Sequence, residues 1–360
     1  MQATLGSSLA ERANALNFVR LVLASAVVVG HTTSLGGFSP NALTEISSLA
    51  VNGFFVLSGF LIAGSRMRLG LGRYLWHRTL RIMPAFWVSL VVVALVIAPV
   101  AAVASGEAWH LAGALTFITR NLFLEIHQWG IPDTLQDVPY VGAWNGSLWT
   151  LQFEFLAYVV AGLLLTSRIV RRHLKLVLCL VTILSATAIA LAQGPLGVDS
   201  YFWFNSLRLG ASFAAGMTLW AFRDSLPRTT TLIVLAGAVS CALYFFAAPT
   251  LMYALTPLPL GYFLLSLGGS RRIRLGSTND ISYGAYIYAF PVEQLLVLLG
   301  GHRLGYLGMV VATLALTAPL AWLSWKLVER PALQRKNMRL ATSTPPVQLV
   351  SGVGSGVRTK

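Results

Sequence analysis

The stretch Leu16-Asn17-Phe18-Val19-Arg20-Leu21-Val22-Leu23-Ala24-Ser25-Ala26-Val27-Val28-Val29-Gly30-His31-Thr32-Thr33 decides how this chain folds. It is long and apolar enough to be read as a membrane-spanning helix, yet Arg20 and His31 lie inside it. Ionisable side chains are costly in such a segment and mark functional sites by default. They stand eleven positions apart. At roughly 100° and about 1.5 Å per residue, both project to within about 20° of one face, roughly 16 Å apart along the axis. One groove can run past both.

The rest of the chain extends that reading. Its 360 residues are 56% hydrophobic and only 11% charged, with mean hydropathy +0.70, well below the charged fraction of about a quarter that soluble domains carry. This is the composition of an all-α, polytopic membrane protein. A net charge of +14 and a pI near 10.4 could point to nucleic acid, but no hydrophilic domain carries the charge. Arg and Lys instead form short clusters between apolar runs, the pattern of positive-inside topology and of attraction to anionic membrane lipids. Nucleic acid is excluded as a partner. Cys179 and Cys241 fall in separate apolar runs and read as small core hydrophobes, with neither a disulfide framework nor a metal site.

Apolar runs long enough to span about 30 Å of hydrocarbon lie near 16–34, 47–64, 85–104, 147–166, 175–193, 201–222, 229–247, 249–268, 281–300 and 304–327. About ten transmembrane helices are therefore predicted. Basic residues collect at 66–81, from Arg168 to Lys175, at Arg223 and Arg228, from Arg271 to Arg274, and after Arg330; the connections 35–46, 126–146 and 194–200 hold acids but no Lys or Arg. This alternation places the basic connections and both termini in the cytoplasm. Counting Trp109 to Leu124 as an eleventh crossing would break the alternation downstream, so that segment is read as re-entrant or interfacial. Residues 1–335 form one membrane domain. Residues 336–360, rich in Ser, Thr, Gly and Val, read as a disordered cytoplasmic tail. Arg20 interrupts the first apolar run and no small-residue cleavage pattern follows, so the first helix is expected to stay in place.

Four features carry possible chemistry. His31 lies near the outer end of the first span and Arg20 near its inner end; an imidazole there suits a general acid or base, or else an interfacial histidine bonded to loop backbone. In Trp76-His77-Arg78-Thr79-Leu80-Arg81-Ile82-Met83-Pro84, Arg78 and Arg81 are neighbours on a helix face. Their guanidinium forks suit a diphosphate from the cytosol, or they are positive-inside charge on lipid headgroups. Glu154 interrupts Ser147-Leu148-Trp149-Thr150-Leu151-Gln152-Phe153-Glu154-Phe155 roughly 10 Å below the start of its helix. At that depth it is expected to orient His31, or to pair with a buried Arg such as Arg208. Gly53, Ser58 and Gly59 sit among bulky residues in Gly53-Phe54-Phe55-Val56-Leu57-Ser58-Gly59-Phe60-Leu61, where small side chains let a helix or a narrow ligand approach the backbone. His110, His127, His173 and His302 form no metal-ligand spacing, and no nucleotide-binding glycine motif or nucleophile elbow is evident.

Taken in order, these features resemble the acyltransferase-3 family of bacterial integral-membrane O-acyltransferases, which modify cell-surface and secreted carbohydrates. Arg20 and His31, the Gly53 to Leu61 segment, Arg78-x-x-Arg81 with Pro84, and Ser147 to Phe155 with Glu154 carry the likeness. Ser282-Tyr283-Gly284-Ala285-Tyr286 and Glu329-Arg330-Pro331 extend it to roughly residues 14–335. Asn17 stands where many members carry Asp, and Ala289 where many carry His. The resemblance implies a multi-pass protein of the bacterial inner membrane that binds no permanent cofactor. It implies an acyl-CoA donor, acetyl-CoA above all, bound at Arg78, Arg81, Ser58 and Gly59 from the cytoplasm. The implied acceptor is a carbohydrate hydroxyl, on a polysaccharide, lipid-linked glycan or oligosaccharide. His31 would be the general base or acyl carrier, with Arg20 positioning the donor arm or stabilising charge and Glu154 orienting the imidazole. A rival reading, a transporter of a glycan or anionic metabolite without acyl transfer, also places ionisable residues in spans.

Overall fold

Every run that the hydropathy pattern marks as a span forms helix in the computed structural model, which describes residues 3–10, 14–270 and 279–337. In chain order the helices are α1 (Leu5–Leu9), α2 (Leu16–Leu35), α3 (Ile46–Arg68), α4 (Leu71–Val92), α5 (Ala98–Ser105), α6 (Leu111–Arg120), α7 (Thr150–Leu164) and α8 (Arg168–Arg172). They continue with α9 (Leu174–Leu191), α10 (Tyr201–Phe222), α11 (Thr230–Phe246), α12 (Pro249–Leu255), α13 (Pro257–Gly268), α14 (Ser282–Leu298), α15 (Gly305–Ser324) and α16 (Arg330–Gln334). No strand forms among the described residues. The basic run 271–274 and the tail from 338 onward lie outside them.

Five helical stretches of the described chain are long and apolar enough to cross a membrane by length and composition, and a sixth is added by α12 and α13, which meet at 50°. Prolines at the first position of both α12 and α13 fit that break, since Pro readily opens a helix but cannot continue one. The chain is a multi-pass membrane protein. The third span runs further than its apolar core suggests: α4, a π-turn at Val93–Ile97 and α5 form one stretch from Leu71 to Ser105. The Arg78/Arg81 segment is thus the first part of that span. Helix α6 has ten residues, shorter than a crossing requires, in keeping with a re-entrant or interfacial segment. Cys179 is half-buried and Cys241 exposed, so Cys241 is not the core residue expected.

The helices pack where small residues let backbones meet. A Cβ at Gly59 on α3 would stand 2.0 Å from the Phe213 carbonyl oxygen on α10, and one at Gly216 on α10 would stand 2.0 Å from the Val56 carbonyl oxygen. The α3 and α10 backbones therefore touch, with nothing flexible between them to yield. Gly59 accordingly serves helix packing. Gly59→Ala is expected to destabilise the protein by about 1–3 kcal/mol or more. Gly72→Ala, whose Cβ meets nothing within 4 Å, is the control. Thermal unfolding in detergent checks this, and equal midpoints for the two variants would contradict it.

Candidate active site

Helix α2, which packs against α3, α13, α14 and α15, carries Arg20 towards one end and His31 towards the other. Around Arg20 the fold gathers an ion network from distant parts of the chain. Arg20 Nη1 donates to Asp280 Oδ2 at 3.0 Å, and Arg81 Nη2 donates to the same oxygen. Arg81 Nη1 lies 3.8 Å from Glu329 Oε2. The Ser282 hydroxyl donates to Asp280 Oδ1 at 2.5 Å, and that of Ser324 to Glu329 Oε1 at 3.1 Å. Burial pushes the Asp280 carboxyl up, but Arg20 and Arg81 hold it well below the usual carboxylate range. Glu329 ends a π-turn, Trp325–Glu329, a local irregularity frequent at functional sites.

This network separates the two arginines that sequence spacing pairs. Arg81 is committed to Asp280 and Glu329 and stacks over the Tyr283 ring at 5.9 Å. Its guanidinium is therefore shared with the protein's own acids, unlike that of Arg78. Arg78 lies over the Tyr158 ring at 6.0 Å, and its Nε has no hydrogen-bond partner among the described residues. Beside them, His77 Nε2 is 3.2 Å from the Lys336 carbonyl oxygen. Burial, reinforced by Arg78 and Arg81, lowers the Lys336 amine to about 8. Arg78 and Lys336, close together with no ion pair to an acid among the described residues, are the electrostatic form of an anion site.

Glu154 on α7 does not reach the imidazole. Its Oε1 accepts from the Ser58 hydroxyl at 2.9 Å and from the Tyr158 hydroxyl. Neither role expected from the sequence is met, because Arg208 instead donates to Asn52 Oδ1 and the Ser48 carbonyl oxygen, each at 3.0 Å, and stacks on Tyr253. Glu154 shares with Arg20 a cavity of about 30 Å³, walled by Phe54, Phe55, Thr150, Tyr283 and Tyr286. Ser58 thus reaches the site through Glu154.

His31 stands apart from both groups. Its ring meets Phe290 of α14 edge-on, with centroids 5.5 Å apart, and makes no hydrogen bond among the described residues. Both ring nitrogens are left for a ligand. Phe290 is itself held by Tyr140, at 5.9 Å, and closes over Gly146, where a Cβ would fall 2.5 Å from its ring. The connection before α7 is pinned onto α14: Asn145 Nδ2 donates to the Ile287 carbonyl, and Gln294 Nε2 to those of Tyr140 and Ala143, at 2.7, 2.8 and 2.8 Å. Next to His31, buried Thr32 meets the fully buried Glu293. Sequence reasoning missed Asp280 and Glu293. An acid inside the apolar run 281–300 was a signal for the second.

Comparison with known proteins follows the same order of features. An acyltransferase domain model of the acyltransferase-3 type matches residues 13–326. The chain is 26% identical over 344 residues to an O-acetyl transferase of Shigella phage Sf6, covering 92% of this chain and 99% of that protein. It is 26% identical over 318 residues to Nodulation protein 10 of Rhizobium leguminosarum bv. viciae, covering 80% of this chain and 83% of that protein. No solved structure matches it. The family model spans nearly all of the helical chain, including every residue of the site but Glu329 and Lys336, and the chain belongs to the acyltransferase-3 family of membrane acyltransferases.

Proposed function

We propose that this enzyme transfers an acyl group, acetyl above all, from cytoplasmic acyl-CoA to a carbohydrate hydroxyl at the outer side of the bacterial inner membrane. Both termini are then cytoplasmic. The observation that carries this reading is the division of labour along α2: an ion network around Arg20 with Arg78 and Lys336 near its Arg81, and an imidazole with no hydrogen bond among the described residues roughly 16 Å away. The donor's phosphates meet Arg78 and Lys336, and its arm passes Arg20 towards His31. His31 takes the proton of the attacking hydroxyl as the oxygen adds to the thioester carbonyl, and returns a proton to the departing thiolate. In a two-step variant the imidazole itself carries the acyl group. The relative from Shigella phage Sf6, named an O-acetyl transferase, supports the acetyl donor.

Arg78→Ala is expected to raise the KM for acyl-CoA about tenfold or more with a smaller change in kcat, because a charge-assisted contact to the donor is lost. Initial rates of CoA release at varied acetyl-CoA check this; an unchanged KM would leave Arg78 as a topology signal. The overall reading is tested by mass spectrometry of surface glycans from matched cells with and without this protein. An acetyl ester present only with the protein is expected. Identical glycans would contradict the reading.

A further inference from the structure

Glu154 and Arg20 face one narrow cavity with opposite hydrogen-bonding character. The Ser58 and Tyr158 hydroxyls both donate to Glu154 Oε1, which fills that oxygen's two lone-pair sites. Oε2 accepts from no protein group among the described residues. Across the cavity, Arg20 spends Nη1 on Asp280, and a guanidinium has five N–H donors in all. The walls between them are largely apolar, with Val51, Phe54, Phe55 and Leu151 among the lining residues. The cavity's 30 Å³ is room for about two waters, enough for a thin chain and too little for a sugar ring.

This arrangement suits a group that donates at one end and accepts at the other. An anion would face the Glu154 carboxylate, a cation would face Arg20, and an alkyl chain would leave both unsatisfied. A secondary amide satisfies both at once, its N–H towards Glu154 and its carbonyl towards Arg20. We infer that the cavity between Arg20 and Glu154 is an amide-binding waist on the donor path, and that Glu154 accepts a hydrogen bond from a pantetheine amide of acyl-CoA. The inference rests on the donor reading above. In acyl-CoA the phosphates, the two amides and the thioester follow one another along a single chain. Arg78, the Arg20/Glu154 cavity and His31 offer matching groups in that order. Glu154 is thus a donor-binding residue and has no part in orienting the imidazole.

The test uses the full-length purified protein, acetyl-CoA, and two acetyl-CoA analogues in which each pantetheine amide in turn is replaced by an ester, which keeps the carbonyl and removes the N–H. The wild type is expected to bind one of the analogues about 10- to 100-fold more weakly than acetyl-CoA. In Glu154→Gln the amide oxygen can take over from Oε1 between Ser58 and Tyr158, and an NH2 group then faces the cavity. This variant is expected to bind acetyl-CoA about 10- to 100-fold more weakly and to lose its discrimination between amide and ester.

Wild-type protein that binds both analogues as tightly as acetyl-CoA would overturn the inference, whatever the fate of the variant. So would a Glu154→Gln protein with wild-type affinity or undiminished discrimination. A penalty that appears only with N-acetylated sugar acceptors would assign the amide to the acceptor and likewise overturn it. Wild-type protein that ignores acetyl-CoA altogether would overturn the donor reading, and this inference with it.

Discussion

His31→Ala, purified in folded form, is expected to lose about 10²- to 10⁴-fold or more in turnover, the range that a positioned general acid or base supplies. The imidazole has no hydrogen-bonding partner among the described residues, and Phe290 meets it edge-on. Removing it takes away the proton acceptor while leaving the Arg78 and Arg20/Glu154 regions intact. The loss is therefore expected in kcat, with the KM for acyl-CoA changed only a few-fold. His31→Gln, which keeps hydrogen-bonding capacity but cannot be protonated, is expected to be equally inactive. Saturating-donor rates of CoA release decide the matter. Turnover at the wild-type level in either variant would remove His31 from the chemistry.

Asp280→Ala is expected to give the largest stability loss. Asp280 is the shared counter-ion of Arg20 and Arg81, and all three side chains are largely buried. Breaking a buried pair by deleting one partner leaves uncompensated charge, typically at about 3–5 kcal/mol. Here two guanidiniums are stranded, with Glu329 remaining near Arg81 at 3.8 Å. Activity is expected to fall as well, because both arginines lose their fixed positions. Asp280→Asn, which keeps the shape but loses the charge, separates the electrostatic part. The folded carboxyl titrates below its unfolded value, so its contribution is fully present above about pH 4 and is lost as pH falls through the folded value. The stability gap between wild type and Asp280→Asn is thus expected to be constant near neutrality and to narrow below pH 4. Thermal unfolding in detergent across that range checks both the size and the sign. A gap that widens on acidification would contradict the assignment.

The fold was largely legible because hydropathy alone determines where a chain can cross a bilayer. Each apolar run became helix, while five or six helical stretches of the described chain, against the ten expected, are long and apolar enough to cross a membrane. The 50° break between α12 and α13 and the π-turns at Val93–Ile97 and Trp325–Glu329 were not legible, since tertiary contacts decide how a helix bends. In the site, Arg20 and His31 were conspicuous because they are expensive where they stand. Their surroundings were not, because they come from far along the chain: Asp280 is 260 residues from Arg20 and 199 from Arg81. Glu154 shows the limit most clearly. Its depth on α7 was readable, but the rotation of that helix was not, and the carboxylate meets Ser58 and Tyr158. Tyr158, four positions on along the same helix face, was a readable neighbour.

The most direct test of acyl transfer by this chain uses proteoliposomes supplied with acetyl-CoA labelled in the acetyl group and with a candidate surface glycan. With wild-type protein, label is expected in the glycan as an alkali-labile ester, with one CoA released for each ester formed. His31→Ala, reconstituted to the same density, is expected to leave the glycan unlabelled. Label that stays in acetyl-CoA in the presence of the wild type, while the glycan moves across the membrane unmodified, would contradict the enzyme reading and favour a transporter.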